Sequence, residues 1–399
     1  MNICIRNVSQ DVAAPAFLNM EKAQEIRDFH RSFPEYEPTP LANLEQLAKH
    51  LGLGGVYVKD ESYRFNLNAF KVLGGSYAIG TYLAKRLNIP LEELSYERLV
   101  STEVKKTLGD ITFVTATDGN HGRGVAWTAN RLGQKSVVYM PKGSAEERLE
   151  NIRKAGATAE ITALNYDDTV RMASEMAEKN GWVLVQDTAW EGYEEIPQRI
   201  MQGYSTMGLE ACEQLEALHR KPTHVFVQAG VGSMAAAVIG FLGAVYTGND
   251  RPRFIIVEPD KADCVYRTAA AADGTLHAVT GDLKTIMAGL ACGEVSATAW
   301  PILNDLVSGF CSCEDGLSAL GMRILGAPLQ GDRQVISGES GSIGVGVVAE
   351  LMRNPAYAEE RKTLELGEDS HVLFFNTEGD TDTVHYRKIL WDGLCQSGF

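Results

Sequence analysis

The chain has 399 residues, 45% of them hydrophobic, and a formal net charge of −15. That length exceeds what one simple core fills and predicts two lobes with a cleft between them. The acidic balance excludes the basic stripe that nucleic acid requires, and most of it reads as solvated surface, so a small-molecule ligand is expected instead.

Residues 1–15 lack the apolar core of a secretion signal, and no stretch approaches the roughly 20 apolar residues of a membrane span, so a cytoplasmic protein without membrane partners is expected. The seven cysteines are scattered and without Cys-x-x-Cys spacing. They predict reduced thiols, Cys264 and Cys292 included, and no structural metal site.

After an N-terminal arm, short apolar runs alternate with helical patterns. Strands are expected at 56–59, 112–115, 136–140, 158–162, 183–186, 224–228, 254–258 and 372–376, with helices between most of them. β-branched residues in such runs predict parallel sheets covered by helices on both faces, an α/β fold of two lobes each built on an open, twisted, mostly parallel sheet. The polar segment 88–110 reads as a connection into a separate unit. The expected division is a large lobe of 1–92 with 196–399, and a small lobe of 93–195.

Four elements carry candidate chemistry. The first, Asn68-Ala69-Phe70-Lys71-Val72-Leu73-Gly74-Gly75, opens a helix after the charged run Lys59-Asp60-Glu61-Ser62. Apolar neighbours suggest partial burial of Lys71, and a desolvated lysine has the lowered pKa that Schiff-base chemistry needs. The second, from Thr115 to Gly124 through Thr117, Asp118 and Asn120, sets polar side chains and glycines at the carboxyl end of a parallel strand, where open α/β sheets bind ligands.

The third, Gln228-Ala229-Gly230-Val231-Gly232-Ser233-Met234, lies between an apolar strand and a small-residue helix. It suits a phosphate held by backbone amides at a helix N-terminus, and equally a tight turn that needs glycine for packing. No Walker run or complete dinucleotide fingerprint accompanies it, which disfavours a nucleotide and leaves a compact phosphorylated cofactor. The fourth comprises Ser337-Gly338-Glu339-Ser340-Gly341 and, after the last strand, Thr377-Glu378-Gly379-Asp380-Thr381-Asp382. Helix capping by Ser340 and Asp382 is the plainer reading of part of it.

These elements, in this order and across nearly the whole chain, resemble the fold-type-II pyridoxal-phosphate (PLP) enzymes, the group of the serine and threonine dehydratases and cysteine synthase. The runs Lys59-Asp-Glu-Ser, Thr117-Asp-Gly-Asn-His-Gly-Arg-Gly, Gln186-Asp-Thr-Ala-Trp-Glu-Gly-Tyr and Thr377-Glu-Gly-Asp-Thr-Asp bring the likeness closest to ammonia-lyases acting on a diamino acid. The resemblance implies that Lys71 carries PLP as a Schiff base and that Gly230, Val231, Gly232, Ser233 and Met234 cradle its phosphate. It further implies that Asn120 meets the ring hydroxyl, that Thr377 faces the pyridine nitrogen, and that Glu339 belongs with the cofactor-binding residues.

Thr117 would grip the substrate carboxylate. Asp118 and Asp187 depart from the simple dehydratases and would hold or protonate a second ammonium, with Lys71 and Asp118 as bases on opposite faces. The implied reaction is α,β-elimination of D- or L-2,3-diaminopropionate to pyruvate and two ammonia by a homodimer, with a serine or threonine dehydratase of the same fold as the alternative. A nicotinamide-dependent oxidoreductase and a non-catalytic ligand sensor are the rivals from other classes.

Overall fold

The computed structural model describes residues 1–9, 11–117 and 119–396. Among the described residues eleven strands form two sheets. They are β1 (Asn2–Ile5), β2 (Leu41–Asn43), β3 (Gly55–Asp60), β4 (Thr112–Ala116), β5 (Lys135–Met140), β6 (Thr158–Ile161), β7 (Val183–Leu184), β8 (His224–Gln228), β9 (Arg253–Pro259), β10 (Val307–Cys313) and β11 (His371–Asn376). The larger sheet runs β1-β10-β9-β8-β11-β3-β2 and the smaller β6-β5-β4-β7. Only the two edge strands, β1 against β10 and β2 against β3, are antiparallel. The chain is thus an α/β protein with mostly parallel sheets.

Both faces of the larger sheet are buried, which is why its strands read as continuous apolar runs. Neighbouring residues face opposite ways. Val225, Val227, Phe254, Ile256, Leu373 and Phe375 enter one core with the helices Met20–Arg31, Val72–Leu87, Glu195–Ala217 and Ser233–Val245. Phe226, Ile255, Val257, Val372 and Phe374 enter the other with Asp315–Gly326 and Glu339–Arg353.

All eight expected strands are present within a few residues, the largest change being 183–186, which narrows to Val183–Leu184. Three strands escape the sequence. β1 and β2 are short edges. β10 reads Val-Ser-Gly-Phe-Cys-Ser-Cys, a composition without strand character, yet every one of its residues is buried between β9 and β1.

The small sheet occupies residues 112–184, between β3 and β8 of the large one. Its helix Asn120–Arg131 lies directly on the turn that bears Lys71: a Cβ at Gly124 would stand 2.8 Å from Val72 Cα. Only glycine allows that approach. No helix among the described residues is long and apolar enough to cross a membrane, and all seven cysteines are unbridged.

Candidate active site

The segment leading to Lys71 is conformationally unusual. Phe65, Asn66 and Asn68 have φ of +50°, +59° and +55°, a left-handed region that bulky residues rarely enter. What holds them there is a buried set of charges. Arg64 donates to both oxygens of Glu61 and both oxygens of Glu210, each at 2.8 Å, and Lys59 Nζ reaches Glu210 Oε2 at 2.7 Å.

Side chains of Lys59, Glu61, Arg64 and Glu210 are at most 2% exposed. Burial pushes the Glu210 carboxyl up, but the adjacent Arg64 and Lys59 cations outweigh it and hold the group well below the usual carboxylate range. The Lys59-Asp-Glu-Ser run is therefore the foundation of the Lys71 loop. Asp60 joins it by accepting from Ser62 and from Asn376 Nδ2 at 2.8 Å.

The loop is then sewn to β11's exit. Phe70 N donates to Thr377 O at 3.1 Å, and Gly379 N to Asn68 O at 3.0 Å. Lys71 emerges from this frame at the N-cap of Val72–Leu87, its side chain 19% exposed. It opens into a cavity whose wall includes Asn120, Asp187, Thr377 and the whole run 230–234.

Lys71 Nζ lies 2.5 Å from Asp187 Oδ2. Desolvation raises the Asp187 carboxyl, yet the Lys71 charge, with His121 beside it, brings it down to about 2. Asp187 also anchors the glycine loop, because Ser233 Oγ donates to its backbone carbonyl at 2.8 Å. In that loop Gly232 has φ +95°, which favours glycine. The helix Ser233–Val245 begins there with no side-chain cap, so its N-terminal amides face the cavity wall.

On the opposite wall Gln228 Nε2 donates to Thr377 Oγ1 at 2.8 Å and to Phe375 O at 2.9 Å. With its oxygen already accepting, the Thr377 hydroxyl keeps its hydrogen for another acceptor. Asn120 Nδ2 reaches Glu378 Oε2 at 2.5 Å.

These residues fit a small phosphorylated aromatic aldehyde. An uncapped helix N-terminus on a glycine turn suits a phosphate, an amine stands beside a carboxylate, and a hydroxyl has a hydrogen to donate. Two buried polar atoms of the wall, Ser340 Oγ and Tyr204 Oη, have no hydrogen-bond partner among the described residues, and such atoms are costly unless a ligand meets them.

The family model for pyridoxal-phosphate-dependent enzymes matches residues 33–374. The chain belongs to this family. Curated relatives of this PLP-dependent enzyme are the diaminopropionate ammonia-lyase of Salmonella typhimurium, 54% identical over 96% of this chain and 95% of that protein, and that of Escherichia coli, 49% identical over 96% of each. A crystal structure of the holo form of the Escherichia coli diaminopropionate ammonia-lyase superposes with a TM-score of 0.92, 47% identity, and coverage of 99% of this chain and 98% of that one.

Within this PLP-dependent enzyme the expected residues are not all in one place. Lys71, Asn120, Asp187, Gly230, Val231, Gly232, Ser233, Met234 and Thr377 line the cavity together. Asp118 lies outside the described residues.

Two expected residues stand beside this cavity rather than in its lining. Thr117 Oγ1 accepts from Gly119 N at 2.9 Å and Gly122 N at 3.1 Å, which leaves the hydroxyl hydrogen to donate. Glu339, the first residue of its helix, lines the wider cleft that Lys71 also borders and pairs with His385 Nδ1 at 2.6 Å, while the next residue, Ser340, lines the cavity. The capping expectation for Ser340 does not hold, since the helix is Glu339–Arg353 with Gly338 as N-cap. Asp382 does cap, accepting from His385 N.

Sequence reasoning passed over Tyr166 and Tyr204 and gave no role to Gln228 and Glu378 within their runs, yet all four line the cavity. Gln228 was visible only as a polar residue ending an apolar strand. Tyr204 lies mid-helix, 1% exposed, and nothing in the linear pattern separates it from core.

Proposed function

We propose that this chain is a diaminopropionate ammonia-lyase that converts 2,3-diaminopropionate and water to pyruvate and two ammonia, with Lys71 as the cofactor's anchor. The observation that carries the reading is the Lys71–Asp187 pair, 2.5 Å apart, in a cavity walled by the 230–234 turn. Bound there, PLP supplies the electron sink that acidifies the Cα proton of an amino acid.

In this reading Lys71, once its nitrogen is released, takes that proton. Asp187 then faces the substrate's β-ammonium: a carboxylate held far on the ionised side attracts that cation and keeps its proton in place until the Cβ–N bond breaks and ammonia departs with the bonding pair. Asp118 is proposed as a second carboxylate, able to remove the Cα proton from the enantiomer presenting its other face. The turn 230–234 seats the phosphate, Thr377 donates to an unprotonated ring nitrogen, and Asn120 meets the ring oxygen.

The lobe division belongs to the same reading, with 93–195 as the unit that brings Asn120 and Asp187 against the Lys71 lobe; the four strands at 112–184 support it. A cytoplasmic homodimer is also proposed. Seven free thiols support a reducing compartment, and Val384 and Trp391, 57% and 80% exposed on the last helix and just after it, support a second copy.

The test is a substrate panel on the PLP-loaded protein. Pyruvate and ammonia should be released in a ratio of one to two from D- or L-diaminopropionate, faster than pyruvate from serine. Faster turnover of serine would replace this assignment with a dehydratase.

A further inference from the structure

Glu378 is 2% exposed, lines the cavity, and follows directly on Thr377. Its backbone is held on two sides, bridged to Ala69 and accepting from Gly338 N at 2.9 Å, so the side chain has little freedom. Its carboxylate accepts from Asn120 Nδ2 at 2.5 Å, Ser340 N at 3.4 Å and Thr381 Oγ1 at 3.4 Å. All three donors are neutral, and none of its hydrogen bonds among the described residues comes from a lysine, arginine or histidine. Ser340 N belongs to the first turn of the 15-residue helix Glu339–Arg353, whose dipole favours a negative charge at that end.

An ionised carboxylate can only accept hydrogen bonds. Beside it, the Asn120 amide has one orientation: Nδ2 toward Glu378, with its second hydrogen left for the cavity. Flipped, the amide would set Oδ1 against a carboxylate oxygen, and two acceptors at that distance repel. From this geometry we infer that Glu378 is a positioning residue that orients the Asn120 amide as a donor toward the cofactor's ring oxygen, an inference that rests on the PLP reading above. The contact also crosses the molecule, because Asn120 follows β4 of the small sheet and Glu378 follows β11 of the large one.

Without Glu378 the two amide orientations become comparable, and the donor to the ring oxygen is lost for part of the time. The ionised form of that oxygen is then less stabilised, and its protonation moves to higher pH. The measurement is the visible absorption band of the PLP-loaded protein followed against pH. Glu378→Ala should raise the midpoint of the band's titration by roughly 0.3 pH unit or more, Glu378→Gln, whose amide can accept or donate and so admits either orientation, should shift in the same direction, and Asn120→Ala, which removes the donor altogether, should shift at least as far as Glu378→Ala.

The double variant should shift no further than Asn120→Ala alone, because both substitutions remove one interaction. Additive shifts, or a parent-like titration in Glu378→Ala beside a shifted Asn120→Ala, overturn the inference and leave the PLP reading intact. A parent protein that takes up PLP without any visible band overturns both. If Glu378→Ala does not fold, Glu378→Leu, close in volume and unable to accept, carries the same expectation.

Discussion

Two ion-pair systems lie within a dozen residues of each other in sequence, and they are built to opposite ends. In one, Arg64, Lys59, Glu61 and Glu210 are enclosed by one another and by Thr39, Gln214 and the Glu37 carbonyl, with side chains at most 2% exposed. In the other, Lys71 and Asp187 meet at 2.5 Å on a cavity wall, with Lys71 still 19% exposed. The chemistry of the contacts is the same; the difference is enclosure. A closed set of charges holds backbone shape because no ligand can reach it, whereas an open pair keeps each partner available for exchange.

Replacing a member of each system should therefore break different properties. The largest effect is expected for Lys71→Ala: turnover should fall at least roughly a thousandfold, the visible band of the PLP-loaded protein should disappear, and the unfolding free energy should fall only by the roughly 2 kcal/mol that the lysine's charge lends to Asp187. A retained band would refute Lys71 as the anchor and erase the distinction drawn here.

Next comes Arg64→Ala, which strands Glu61 and Glu210 without their shared cation. Removing one partner from a buried pair costs about 3–5 kcal/mol, to be read in equilibrium unfolding. Any protein that does fold should bind PLP more weakly, because Phe65, Asn66 and Asn68 lose the tether that keeps them left-handed. A neutral effect on unfolding would mean that the enclosed set contributes nothing.

The smallest effect is the pH dependence of the open pair. Asp187 has its folded-state pKa depressed to about 2, below its ordinary value of about 3.9. The stability it contributes is thus fully present above about pH 4 and is lost as pH falls through 2, amounting to about 2 kcal/mol. Asp187→Asn should flatten the unfolding free energy over that acid window relative to the parent, and an unchanged slope would show that Lys71 does not hold the carboxylate.

The contrast also explains what could be read from the chain. Strands such as β8 and β11 were legible because burial on both faces makes every residue between their ends apolar, and the glycine loop was legible because a backbone cradle leaves its mark in residue type. β10 was hidden by its serines, glycine and cysteines, which suit a close-packed interior but carry no strand propensity. The Lys71 and Asp187 loops stood out as polar residues at strand ends. At Thr117 the chain alone does not separate a hydroxyl capping its own turn from one facing a ligand, because the two look identical in sequence. Glu378 and Gln228 were given no role because their partners, Asn120 and Thr377, lie more than a hundred residues away.

The open pair has one more consequence. Lys71 precedes the small sheet in the chain and Asp187 follows its last strand, so their contact closes a stretch of 116 residues. A tie across the neck of so long an excursion acts as a clasp, and any molecule that claims the lysine nitrogen undoes it.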